Sequence, residues 1–139
     1  PPLKYDYVYK LKKDFPDLEI IINGGIKNLQ QSSEHLKKVD GVMIGRSAYE
    51  NPFMLKDIES QFYGIDPATN SKKEILNQYL EYVNKQLVHG HSLSKMMKHL
   101  FGLSRGDKFA KLFRIKVLEI IKNNSLKGYE KELEDLLIY

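Results

Sequence analysis

The sequence predicts an α/β end piece built on two parallel strands, followed by a small all-helical domain. Three observations carry this. Two short apolar runs, Ile20-Ile21-Ile22 and Val42-Met43-Ile44, each lead into a glycine-centred turn, Asn23-Gly24-Gly25 and Gly45-Arg46. A polar, helix-patterned stretch of about one βαβ crossover lies between them. Beyond Arg46 the alternation ceases and only helical patterns follow. The order α-β-α-β with tight connections is the repeat of an α/β barrel or of a doubly wound sheet.

Taken in order, residues 5–15 place Val8, Leu11 and Phe15 at helical spacing, and Pro16 stops that helix. Leu18 to Ile22 is β-branched and nearly all apolar, as expected of a parallel strand buried on both faces. Asn28 to Lys38 reads as a helix with Leu29 and Leu36 inward, and Gly41 to Ile44 as the second strand. Ser47 to Glu50 forms a short helical turn, and Pro52 starts a helix reaching about Tyr63. Gly64 to Asn70, which contains Asp66-Pro67, is the best linker and divides 1–64 from 65–139. Ser71 followed by Glu74 is a capping box. The helix it opens carries Ile75, Tyr79, Tyr82, Val83 and Leu87 on one side, and His89-Gly90 closes it. Three more helices are predicted at roughly Leu93–Ser104, Lys108–Asn123 and Lys127–Ile138.

Composition bounds the function. With 42% hydrophobic residues the 139-residue chain can bury a core. Pro1-Pro2-Leu3 carries no initiator methionine and no signal or transit pattern, as expected of a piece of a longer protein. No apolar run approaches a membrane span, so a soluble product without membrane contact is expected, cytoplasmic by default. The lack of cysteine excludes disulfides, a cysteine nucleophile and a thiolate metal site within these residues. The net charge of +4 is unevenly spread. Residues 1–90 balance to zero, residues 91–122 supply +6 and the remainder returns −2. A basic excess confined to one C-terminal region points to a polyanionic partner.

Two constellations carry chemistry. Asn23-Gly24-Gly25 and Gly45-Arg46 together form a candidate phosphate cradle, since backbone N–H groups can approach an anion where no Cβ intervenes and Arg46 adds a planar guanidinium. Barrel enzymes frequently hold phosphate at the loops after their last two strands and at a short extra helix. The bland alternatives are an ordinary turn and an Arg46 that merely salt-bridges a helix. The second constellation is the helix from Lys108, which places Lys111, Arg114 and Lys122 on one side and Phe109, Leu112, Phe113, Val117, Ile120 and Ile121 on the other. Arg105 precedes it, after Lys95 and Lys98 on the helix before. A single basic stripe is more often a solvated face, but here two consecutive helices contribute and acids are nearly absent.

The run Pro1-Pro2-Leu3-Lys4-Tyr5, Phe15-Pro16, Ile21-Ile22-Asn23-Gly24-Gly25-Ile26, then Val39-Asp40-Gly41-Val42-Met43-Ile44-Gly45-Arg46-Ser47-Ala48-Tyr49 and Asn51-Pro52, closely resembles the tRNA-dihydrouridine synthases, the A subfamily most nearly. Lys98-His99-Leu100-Phe101-Gly102-Leu103 resembles the helical-domain signature of that subfamily. The resemblance implies the last two strands and helices of a TIM barrel in residues 1–64 and a helical tRNA-binding bundle in residues 65–139. It implies reduction of the C5–C6 bond of uridine in the tRNA D-loop, at positions 20 and 20a, by FMN that NADPH reduces. Asn23, Gly24, Gly25, Gly45 and Arg46 match the family's FMN-phosphate turns. Lys111 and Arg114 match a basic pair that helps orient tRNA, and Lys98, Arg105 and Lys108 are candidate RNA contacts beside them. The family's proton-donating cysteine, and its lysine and histidine near the flavin, come from earlier strands, so no catalytic residue falls in this chain. The residues alone are expected not to reduce uridine. Two alternatives stand beside this reading: a non-catalytic RNA-binding helical module with a vestigial phosphate turn, and another FMN-dependent barrel oxidoreductase.

Other residues have duller accounts. His35, His89, His91 and His99 show no metal-ligand pattern, and no metal is expected. Tyr5, Tyr7, Tyr9, Tyr79 and Tyr82 read as core or interface anchors, and Lys12-Lys13 and Lys72-Lys73 as solvated faces.

Overall fold

The computed structural model describes residues 2–65 and 71–137. Most of the predicted linker, Asp66 to Asn70, lies outside the described residues, as does Ile138 of the predicted last helix. Helix α1 (Tyr5–Asp14) leads to β1 (Ile21–Asn23), α2 (Leu29–Leu36) and β2 (Gly41–Met43). The short α3 (Arg46–Glu50) and α4 (Met54–Tyr63) follow. Then come α5 (Lys72–Val88), α6 (Leu93–Met97), a 3-10 turn at Lys98–Gly102, α7 (Ala110–Asn123) and α8 (Glu130–Asp135).

The two strands are parallel, with Ile21 beside Gly41 and Asn23 beside Met43. Ile22, Ile26 and Val39 form a small core between them and α1, closed by Tyr5, Val8 and Tyr9. The expectation of burial on both faces is not met: Ile22 is buried, whereas Ile21 on the opposite face is 60% exposed. Helix α1 likewise turns Tyr5, Val8 and Tyr9 inward and leaves Leu11 and Phe15 exposed. Tyr5 and Tyr9 are the anchors predicted for them, through a buried histidine on α2. The Tyr9 hydroxyl lies 2.7 Å from His35 Nδ1, and Tyr5 meets the imidazole edge-on. Tyr7 points to solvent.

Lys12 is not a solvated lysine. Its ammonium donates to the carbonyls of Pro16 and Leu18 and pairs with Asp40 at 2.8 Å. Asp40 also accepts from the Ile20 N–H, and Asp40 and Gly41 return their N–H groups to the Ile20 carbonyl. The Lys12 ammonium, then the Ile20 N–H, hold the Asp40 carboxyl below its ordinary range. A lowered carboxyl contributes stability that is fully present above the ordinary pKa of about 3.9 and is lost as pH falls through the lowered value. The gap in thermal midpoint between wild type and Asp40→Asn should therefore be widest near neutrality and close below about pH 4. A gap of constant size from neutral to strongly acid pH would refute this.

The helical region closes over a larger core. Leu76, Leu80 and Val83 of α5 meet Leu93, Met96 and Met97 of α6, Phe113, Val117 and Ile120 of α7, and Leu133 of α8. The capping box that opens α5 is present in full, Ser71 accepting from the Glu74 N–H and Glu74 accepting from the Ser71 N–H. Its buried stripe differs from expectation: Leu76, Leu80 and Val83 lead, Ile75, Tyr79 and Leu87 flank, and Tyr82 is half exposed. The single helix expected over 93–104 instead tightens at Lys98 into the 3-10 turn. That tightening seats Gly102 on the backbone of α3, where an added Cβ would lie 2.5 Å from the Tyr49 carbonyl oxygen.

Lys72 is the largest departure. Expected on a solvated face, it is buried, and its ammonium is 2.6 Å from Asp107 and 3.3 Å from the Arg105 carbonyl. Phe53, just ahead of α4, lies under the same ammonium.

Candidate functional site

The parallel register brings the ends of β1 and β2 together, so the two glycine turns lie side by side at the carboxyl ends of the strands. Gly24 and Gly25 have φ of +127° and +64°, which an L side chain rarely adopts. The Tyr5 hydroxyl donates to the Gly24 carbonyl, so the first helix holds this turn in place. Just beyond β2, Gly45 caps α3, its carbonyl accepting from the Ala48 and Tyr49 N–H groups at 3.1 and 3.3 Å. Those are the first bonds of the α3 ladder, which leaves the Arg46 and Ser47 N–H groups facing outward from the helix start.

Asn23, Gly24, Gly25, Gly45 and Arg46, singled out from the sequence as one cradle, all line a single cleft of about 610 Å³. Lys27, Glu50 and Arg105 line it too. Three cations thus face one carboxylate, an electrostatic bias toward an anion. Lys27 could have been found from the sequence, because it lies two residues beyond the glycine pair. Arg105 carried no such signal. It comes from the turn before α7, and its Nη1 lies 3.2 Å from Glu50 Oε2. Arg105, expected among the RNA contacts, lines the cleft and is half exposed.

Lys98, Lys108, Lys111 and Arg114 are exposed and do not line the cleft. Arg114 Nε donates to the Phe101 carbonyl at 3.3 Å, and Lys108 stands over the Phe109 ring. The face these cations share is not purely polar. Phe113, Val117 and Ile120 supply the buried stripe of α7, which turns Leu112 outward with Ile115 and Leu118. Leu112, expected on the inner side, is 50% exposed. Lys116 is committed elsewhere: it bridges Glu132 at 2.8 Å and Glu119 at 2.9 Å, joining α7 to α8, and the two carboxylates raise its pKa. His99 meets Tyr49 edge-on, with the hydroxyl 3.2 Å from Nδ1. Among the described residues no group of three His, Cys, Asp or Glu side chains is placed to hold a metal, and no helix is long and apolar enough to cross a membrane.

A family model described as dihydrouridine synthase matches residues 1–137. The chain belongs to the dihydrouridine synthase family. Proteins named tRNA-dihydrouridine(20/20a) synthase in several bacteria are similar to the chain. The one from Pseudomonas putida is 44% identical over 114 residues, which is 82% of this chain and 34% of the relative. The one from Synechocystis sp. is 45% identical over the same length and the same shares. The one from Vibrio cholerae is 36% identical over 119 residues, 86% of this chain and 36% of the relative. The chain thus spans about a third of the length of the curated relatives it matches.

Proposed function

We propose that this chain is the phosphate-holding and tRNA-holding part of a flavin-dependent tRNA-dihydrouridine synthase of the A subfamily. Residues 1–64 would form the closing strands and helices of a TIM barrel, and residues 65–139 a helical tRNA-binding domain. The observation that carries this reading is the convergence of both glycine turns and Arg46 in one cationic cleft at the carboxyl ends of parallel strands. The exposed outer face of β1, with Ile21 and the nearby Leu18, supports the barrel assignment, because neighbouring strands and helices cover such a face in a closed barrel.

The cleft fits the phosphate of FMN. The positive-φ Gly24-Gly25 turn lines the cleft, the Arg46 and Ser47 N–H groups at the start of α3 offer donors, and the Arg46 guanidinium supplies charge in a planar fork. FMN bound there would, after reduction by NADPH, supply the hydride for reducing uridine in the tRNA D-loop to 5,6-dihydrouridine, the accompanying proton coming from a donor outside these residues. This chain's part is to hold the cofactor's phosphate end and to set the RNA over the barrel mouth. It contains no cysteine, so no residue here takes the family's proton-donor role. The exposed cations of α7, of the turn before it and of the 3-10 turn support tRNA contact, with Lys111 and Arg114 as the leading pair and Lys98 and Lys108 beside them.

Two measurements on the whole protein test the proposal. Arg46→Ala should weaken FMN binding by about tenfold or more, since a charge-assisted hydrogen bond contributes about 1.5–3 kcal/mol, while riboflavin, which lacks the phosphate, keeps its affinity. Equal losses for both flavins would place Arg46 away from the phosphate. Replacing Lys111 and Arg114 together with alanine should weaken tRNA binding and flatten its dependence on salt, by about one unit of slope for each phosphate contact removed. An unchanged slope would sink the RNA assignment.

A further inference from the structure

Arg105 is built into the cleft from the other side. It belongs to the turn that precedes α7, yet it faces the ends of β1 and β2 across the same cavity as Arg46. Its backbone is clamped. The Arg105 N–H donates to the Gly102 carbonyl at 3.1 Å, and its own carbonyl accepts from the buried Lys72 ammonium. Gly102 in turn lies against the carbonyls of Tyr49 and Glu50, so the turn cannot drift away from α3. The side chain is held differently. Its partner is Glu50, and both groups are more than half exposed, at 51% and 59%. An exposed pair of this kind adds little to stability. A fixed backbone, a guanidinium resting on a weak partner, and a cationic cavity beside it amount to a side chain poised to change partners.

We propose that Arg105 is a second guanidinium for the phosphate in the cleft, resting on Glu50 and transferring to the anion when it binds. The proposal rests on the reading of the cleft as a phosphate site. Glu50 then has two effects of the same sign. Its carboxylate competes with the phosphate for Arg105, and it repels the incoming dianion. The helical region would contribute directly to cofactor affinity, and the phosphate would tie the strand ends to the turn before α7. Two guanidinium forks on one phosphate suit the geometry and charge of that group better than one.

The test measures FMN, riboflavin and tRNA affinities of the whole protein carrying Arg46→Gln, Arg105→Gln or Glu50→Gln. Arg105→Gln is expected to weaken FMN about tenfold and leave riboflavin unchanged. Glu50→Gln is expected to move FMN affinity the opposite way, tightening it, again without effect on riboflavin. If Glu50 and Arg105 form only a structural bridge, the two substitutions act alike, and that result overturns the proposal. A loss of tRNA affinity at Arg105→Gln with FMN binding intact overturns it as well, and returns Arg105 to the RNA contacts. Arg46→Gln separates the two levels. If FMN binding falls at Arg46→Gln but not at Arg105→Gln, the phosphate site stands without Arg105. If it falls at neither, the phosphate site itself is wrong.

Discussion

Replacing Asp107 with alanine is expected to destabilise the protein by about 3–5 kcal/mol, because it strands a lysine ammonium in the interior. Lys72 and Asp107 are 8% and 9% exposed and 2.6 Å apart, so solvent screens the pair little. The pair itself is a modest source of net stability. Among the described residues, Asp107 Oδ2 and the neighbouring Ser104 Oγ are buried without a partner, so the carboxylate recovers only part of its desolvation cost. Removing one partner is the expensive change. Removing both with apolar side chains of similar volume, Lys72→Met with Asp107→Leu, should restore at least half of the loss. Denaturant unfolding of the single and double variants measures this. A double variant no better than Asp107→Ala would mean that the cost lies in packing around the site.

Gly102→Ala is expected to cost about 2–3 kcal/mol through overpacking, and to lower anion affinity in the cleft at the same time. The backbone at Gly102 is in a right-handed turn that alanine adopts freely, so conformation is not the obstacle. Space is. The added Cβ would meet the Tyr49 and Glu50 carbonyl oxygens at 2.5 and 3.0 Å and Pro52 Cδ at 2.9 Å. Two of these are backbone atoms that cannot swing aside, so α3 must separate from the 3-10 turn. That separation carries Arg105 away from Arg46 and the strand ends that share its cleft, which couples a packing change to the site. Gly106→Ala is the contrasting control. Its φ of +84° strains alanine by about 1–2 kcal/mol, but nothing lies within 4 Å of the new carbon. Gly106→Ala should therefore lose stability and leave the Glu50–Arg105 bridge alone. Unfolding midpoints and FMN affinity, measured on both variants, decide the matter, and unchanged cleft affinity in Gly102→Ala would break the proposed coupling.

The cradle residues were legible because their signal is local. Asn23-Gly24-Gly25 and Gly45-Arg46 each follow a short apolar run, and a crossover of fixed length brings parallel strand ends together. The capping box at Ser71 and the glycine after His89 were legible for the same reason, since a helix end is satisfied by residues within a turn of it. The faces of the helices were less so. In α5 the aromatic Tyr82 competes with Leu76 and Leu80 for the inward direction, and only the positions of α6, α7 and α8 settle which side is covered. In α7 the same ambiguity placed Leu112 inward, whereas it stands outside among the lysines.

The charged groups show where reading along the chain stops. Hydrophobic period, turn chemistry and caps depend on neighbours a few residues away, and from them followed the strand-turn pairs, the succession of helices and the candidate anion site. The partner of a lysine or an arginine is not written beside it. Lys72 meets Asp107 across 35 residues, and Arg105 meets Glu50 across 55. A lone cation in a polar stretch looks the same whether it ends in water, in a buried pair or at the mouth of a cleft. The choice among those is made by packing, which decides how much water is removed and which opposite charge is near. That is why Arg46 could be placed from its own turn, and Arg105 only from the fold.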